Sequence, residues 1–161
     1  MSASSAHPGV GASHHRTPIE LTALVSGGIF ALVGILGFVP GVTTNYSQLT
    51  FAGHGSGALL LGVFQVSILH NIVHLLFGAA GLLMGRTAVQ ARYFLLGGGV
   101  LYLVIWLYGL LTDQASGANF IPVNTADNWL HAVLGVAMIV LGFVLGRDMA
   151  GRGMTGTERR G

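Results

Sequence analysis

Residues 58–84 read ALLLGVFQVSILHNIVHLLFGAAGLLM, without one Asp, Glu, Lys or Arg. A run this apolar and this long, against the ~20 residues that cross ~30 Å of hydrocarbon, reads as a bilayer-spanning helix rather than a soluble core segment. Asn71 and His74 lie deep inside it, and Asn128-Trp129-Leu130-His131 repeats their spacing near the end of the chain. Each His is followed four residues later by a glycine, Gly78 or Gly135. An Asn or His at hydrocarbon depth is expensive unless it faces a partner, so both motifs must point into protein.

The whole chain follows the same pattern. Of 161 residues, 52% are hydrophobic and 7% charged, against roughly a quarter charged in soluble domains. Four spans are expected, at about 19–39, 58–84, 93–111 and 128–145. The short link at 85–92 makes the second and third antiparallel neighbours, and an all-α integral membrane four-helix bundle follows. One domain is expected at 17–148, between disordered tails at 1–16 and 149–161. Pro40-Gly41 reads as a helix stop, Ser56 or Gly57 as a start, and Asn124 to Asp127 as N-cap chemistry for the last span.

All seven basic residues are arginines, and all fall on one side of this topology. Arg16 precedes the first span, Arg86 and Arg92 lie between the second and third, and Arg147, Arg152, Arg159 and Arg160 follow the fourth. The positive-inside rule then places both termini in the cytoplasm and the two longer connections outside, with the inner (plasma) membrane as the location. The sequence pI near 9.5 reflects this asymmetry and not a nucleic-acid surface, for no aromatic-plus-basic patch accompanies it. With no cysteine, disulfides, thiolate metal sites and iron–sulfur clusters are excluded. The first apolar run is of span length and lacks a small-residue cleavage site, so no removable signal peptide is expected.

Spans two and four run in the same direction, each with Asn-x-x-His-x-x-x-Gly and each ending in Gly-Arg. The first match implies an internal offset of 57 residues and the second 61, so the register of any repeat stays open. Small residues recur at packing intervals, with Ala23, Gly27, Ala31 and Gly34 on span one and Gly78, Gly81 and Gly85 on span two. Such faces let helix backbones approach closely.

Ser67, His70, Asn71 and His74 follow steps of three, one and three and would share one helical arc. His70 precedes Arg86 by 16 residues, as His131 precedes Arg147, each about 24 Å up its helix. Depth therefore permits the histidines to meet. The leading reading is a structural or interaction protein whose polar seam of Ser67, His70, Asn71, His74, Asn128 and His131 sets helix packing, with no cofactor and no enzymatic activity. The alternative is a b-type haem held between spans two and four, or a divalent metal on His70, His74 and His131. An ion path lacks an intramembrane acid. Neither a nucleophile–base pair, a phosphate loop nor paired carboxylates can be found. Expected partners are the lipid bilayer and a second copy or another membrane protein, but no nucleic acid.

The connections carry apolar residues: Tyr46, Leu49 and Phe51 in the first, and Asn119-Phe120-Ile121-Pro122 in the second. They read first as headgroup anchors, and alternatively as lids over the histidine face. Tyr102, Trp106 and Gly109 share one face of span three and read as packing residues.

Three runs carry a family resemblance. They are Thr43-Thr44-Asn45-Tyr46 with Leu49-Thr50-Phe51-Ala52-Gly53-His54, then Leu61-Gly62-Val63-Phe64-Gln65-Val66 leading into His70-Asn71-Ile72-Val73-His74, and Pro122-Val123-Asn124 with Ala126-Asp127-Asn128-Trp129-Leu130-His131. Over about 17–147 the chain resembles a bacterial, actinobacterial-type multi-pass membrane family catalogued as domain of unknown function 4383. The resemblance implies a small four-span inner-membrane protein and transfers no catalytic or binding residue.

Overall fold

A computed structural model describes residues 15–147. Four helices dominate it: α1 Pro18–Leu36, α2 Ile68–Met84, α3 Ala88–Leu111 and α4 Thr125–Val144. Helices α1, α3 and α4, of 19, 24 and 20 residues, are long and apolar enough to cross a membrane, and α2 is a shorter apolar helix of 17. The apolar stripe of α1 at Leu21, Val25, Ile29, Leu32 and Ile35 faces outward, each residue more than half exposed. A surface so apolar belongs against lipid, and the chain is a membrane protein. Apart from residues 15 and 16, the tails expected at 1–16 and 149–161 lie outside the described residues.

Each helix starts on a local cap. Thr17 and Glu20 form a capping box on α1 with Pro18 in the first turn, and Thr87 caps α3. Asn124 and Asp127 form the box expected on α4. On α2 the first three helical amides, which have no partner within the helix, are taken from outside it, and the next begins the regular ladder. Ile68 N–H and Leu69 N–H donate to the Thr50 and Phe51 carbonyls, and His70 N–H and Asn71 N–H to the Ser67 hydroxyl and carbonyl.

The second helix does not begin at 58, nor at Ser56 or Gly57, as the apolar run suggested. Residues 58–66 instead hold two short strands, β2 Leu59–Leu60 and β3 Phe64–Gln65, which with β1 Thr43–Thr44 make a small antiparallel sheet. Leu61 and Gly62 turn the chain between β2 and β3 with φ of 55° and 72°, a left-handed turn that no helix accommodates. The Ser56 hydroxyl donates to the Val66 carbonyl and the Gln65 side-chain amide to the Ser56 carbonyl at 2.7 Å. Gln65 N–H donates to the Asp127 carboxylate at 3.0 Å, and the Asn124 amide to the Val63 carbonyl at 2.8 Å. The first connection thus clamps the start of α4.

The bundle is two helical hairpins, α1 against α2 and α3 against α4, whose closest contacts correspond position by position. A β-carbon at Gly27 would lie 2.7 Å from Leu82 N and 2.9 Å from Gly78 O. One at Gly99 would lie 3.0 Å from Ile139 N and 2.8 Å from Gly135 O. Likewise Gly85 abuts Leu24 as Gly142 abuts Leu96, and Gly37 abuts Asn71 as Gly109 abuts Asn128. A shift of 72 residues therefore carries α1 onto α3, and a shift of 57 carries α2 onto α4. The 57-residue register is the structural one, and 15 more residues separate equivalent positions across the first connection than across the second. The sheet lies in that longer connection.

Because Gly37 and Gly109 have no room for a side chain, Gly37→Ala and Gly109→Ala should each lower stability by about 1–3 kcal/mol, as overpacked sites do. Thermal unfolding in detergent reads this, and Gly28→Ala, which meets nothing within 4 Å, is the control expected to leave the midpoint in place. Asp127→Ala should also lower stability, by about 1–3 kcal/mol, because the Asn124 and Gln65 amides lose their acceptor.

Candidate functional site

The six polar residues of the predicted seam separate into two groups. Asn71 and Asn128 face the other helix of their own hairpin and pack on Gly37 and Gly109. Asn71 is fully buried, and neither polar atom of its carboxamide has a hydrogen-bond partner among the described residues. Asn128 leaves its Oδ1 unpartnered in the equivalent place. Ser67 ends the arc rather than belonging to it, since it is the N-cap of α2 in extended conformation. The histidines face the other way, toward the contact between hairpins.

At that contact the repeat produces a symmetric set of rings. Phe30 and Tyr102, equivalent under the 72-residue shift, stack across α1 and α3 with centroids 5.4 Å apart and planes at 27°. His74 and His131, equivalent under the 57-residue shift, each pack edge-on against their own hairpin's ring. Phe30 and His74 are 6.0 Å apart at 63°, and Tyr102 and His131 are 5.2 Å apart at 61°. Phe77 meets Phe30 at 4.9 Å and Phe94 at 5.0 Å, joining the cluster to the core around Ala91, Leu95 and Met138. Aromatic pairs in these orientations contribute roughly 0.5–1.5 kcal/mol each beyond the area they bury.

Polar geometry breaks the symmetry. His74 Nδ1 lies 3.1 Å from the His70 carbonyl, which can only accept, so Nδ1 carries the proton and Nε2 is the free acceptor. That Nε2 meets the Tyr102 hydroxyl at 3.5 Å, which donates to it. Phe30, in the equivalent position, has no hydroxyl to offer His131. His131 is 5% exposed, and its Nδ1 has no partner among the described residues. His70 stacks face to face on His74, centroids 4.3 Å apart and planes within 4°. Its equivalent in the second hairpin is Asp127, the carboxylate that clamps β3.

These side chains enclose a cavity of ≈ 170 Å³ between α2 and α3, with His70, His74, Tyr102 and His131 on its walls. Phe120, Ile121 and Pro122 of the second connection line it as well, so this segment takes the lid position. Its backbone is tied down, with Gly53 N–H donating to the Phe120 carbonyl at 2.8 Å and Phe120 N–H to the Tyr108 hydroxyl at 2.9 Å. Tyr46 and Phe51 of the first connection are exposed instead. The residues that sequence reasoning left out of the site are Tyr102, Phe30 and Gln65.

In this arrangement His70, His74 and His131 do not converge on one point. Parallel stacking of His70 on His74 sets their lone pairs side by side instead of converging them, and no group of three or more His, Asp or Glu able to hold a metal occurs among the described residues. For a haem, ≈ 170 Å³ is below the ~300 Å³ at which even drug-sized sites begin, and a porphyrin is larger. His131, the required axial ligand from α4, is packed against Tyr102.

No curated protein and no solved structure matches this chain significantly. A family match covers residues 20–144, from the first turn of α1 to the last residue of α4 and including both hairpins. The chain belongs to the family described as Domain of unknown function (DUF4383).

Proposed function

We propose that this is a multi-pass protein of the inner (plasma) membrane, both termini cytoplasmic, serving as a structural or interaction scaffold and not as an enzyme. The observation that carries it is the ring cluster on the axis of the repeat, Phe30 on Tyr102 flanked by His74 and His131. Two hairpins that meet chiefly through α1 and α3 are held there by shape and by edge-to-face contacts. Lipid supplies no hydrophobic drive for helix association, so packing must supply it. The chain carries no cofactor in this reading, and its partners are the bilayer and a second copy or another membrane protein.

Orientation follows from charge. Arg16, Arg86, Arg92 and Arg147 gather at one end of the bundle, while the end bearing the histidines and both long connections has no arginine. Cysteines replacing Gln48 and Ala88 in separate variants test this. An impermeant maleimide added to intact cells should label only the first, and labelling at 88 would refute the orientation.

Docking through the ring cluster makes a second test. Tyr102→Ala and His131→Ala should each destabilise the protein in detergent by about 2–5 kcal/mol. Their double variant should lose less than the sum of the two, because the residues touch. Unchanged melting of both single variants would end the packing role.

A further inference from the structure

The cavity between α2 and α3 has more chemistry than a packing defect needs. Its ≈ 170 Å³ compares with the ~150 Å³ of an apolar protein cavity that stays dry and takes up benzene. No Asp, Glu, Lys or Arg lines it, and apart from Ser67 its walls are ring faces and edges with aliphatic side chains. The space therefore excludes ions and suits a single six-membered ring.

One imidazole on its wall has unused hydrogen-bonding capacity. The His70 ring lines the cavity and makes no side-chain hydrogen bond among the described residues, whereas the unpartnered Nδ1 of His131 has no accessible surface and does not reach the space. A ligand hydroxyl can donate to the His70 ring or accept from it. The mouth gives the route. Val73 on α2, Leu101 on α3 and Phe120 of the lid all line the cavity, yet are 47%, 45% and 57% exposed. These rim residues are apolar and stand on the lipid-facing surface between two helices.

We propose that this cavity is a binding site for a lipid-dissolved molecule of the phenol class, one ring bearing a hydrogen-bonding hydroxyl, which enters sideways from the bilayer between α2 and α3. The ring fills the space beside Tyr102 and the His70–His74 stack, and its hydroxyl meets an imidazole nitrogen. Nothing in this depends on the scaffold reading, since a scaffold needs the ring cluster but no ligand.

The full chain, labelled with ¹⁵N-histidine in phosphatidylcholine nanodiscs, is titrated with phenol. Saturable shifts of the His70 ring-nitrogen resonances are expected, with toluene displacing phenol at least about tenfold less well, as the loss of one hydrogen bond requires. Val73→Trp, at the exposed rim, should abolish saturation without lowering the melting midpoint. His70→Phe keeps a ring on His74 and should weaken phenol about tenfold while leaving toluene unaffected. Shifts that rise linearly without saturating, or that are the same in Val73→Trp, mean partition into lipid alone and overturn the site. Toluene competing as well as phenol overturns the hydroxyl recognition and with it the proposed ligand class.

Discussion

In hydrocarbon every backbone N–H and C=O must find its partner within the protein, and the shape of this chain follows from that requirement. It makes the apolar runs helices. It also explains why the one apolar run that is not wholly helical, residues 58–66, lies at a bundle end, where other groups take its amides. Gln65 donates to Asp127, Val66 accepts from Ser56, and the first amides of α2 reach Thr50 and Phe51. Each contact joins a segment that cannot satisfy itself to one with groups to spare. The sheet, the cap of α4 and the start of α2 are one structure for this reason.

Within the bundle, association rests on contact distance. Gly27 against Gly78 and Leu82, and Gly99 against Gly135 and Ile139, put backbone on backbone where any β-carbon would collide. That approach sets each hairpin's crossing and fixes where the side chains one turn away must point. Asn71 and Asn128 are carried into the hairpin's own interior, while His74 and His131, three residues on, are carried to the junction between hairpins. The glycines and the polar motif are thus one device used twice.

Class, helix number and the motif shared by spans two and four were legible in the sequence, because absence of charge and motif spacing are properties of the chain itself, while whether the halves repeat stayed open. Span two was overextended because Leu, Val and Phe suit an apolar helix and a buried strand equally. Only the left-handed turn at Leu61-Gly62 separates the two, and a Leu there gives no warning. The equivalence of α1 and α3 was invisible, since Phe30 and Tyr102 share no polar motif and their offset differs by 15 from that of the histidines. For the same reason Tyr102 read as a packing residue. Its hydroxyl matters because His74 of the other hairpin lies beside it, and no local pattern records that.

Corresponding glycine contacts give the two hairpins one architecture, but the differences between them shape the cavity. Position 70 is an imidazole in one hairpin, and its equivalent, 127, is a carboxylate turned back onto β3. Position 30 is Phe, and its equivalent, 102, is Tyr. The result is two equivalent histidines with unequal surroundings. His74 has the His70 carbonyl at Nδ1 and a phenol hydroxyl at Nε2; His131 has neither. A chain selected for stability alone gains by an apolar ring at 131, since an orphaned buried nitrogen costs roughly 1–3 kcal/mol. That nitrogen has no accessible surface, and its cost belongs to packing the ring edge-on against Tyr102. The imidazole that meets the cavity of ≈ 170 Å³ without a side-chain hydrogen bond is His70, and Tyr102 shows which chemistry serves such a ring, since its hydroxyl completes His74 from the same wall.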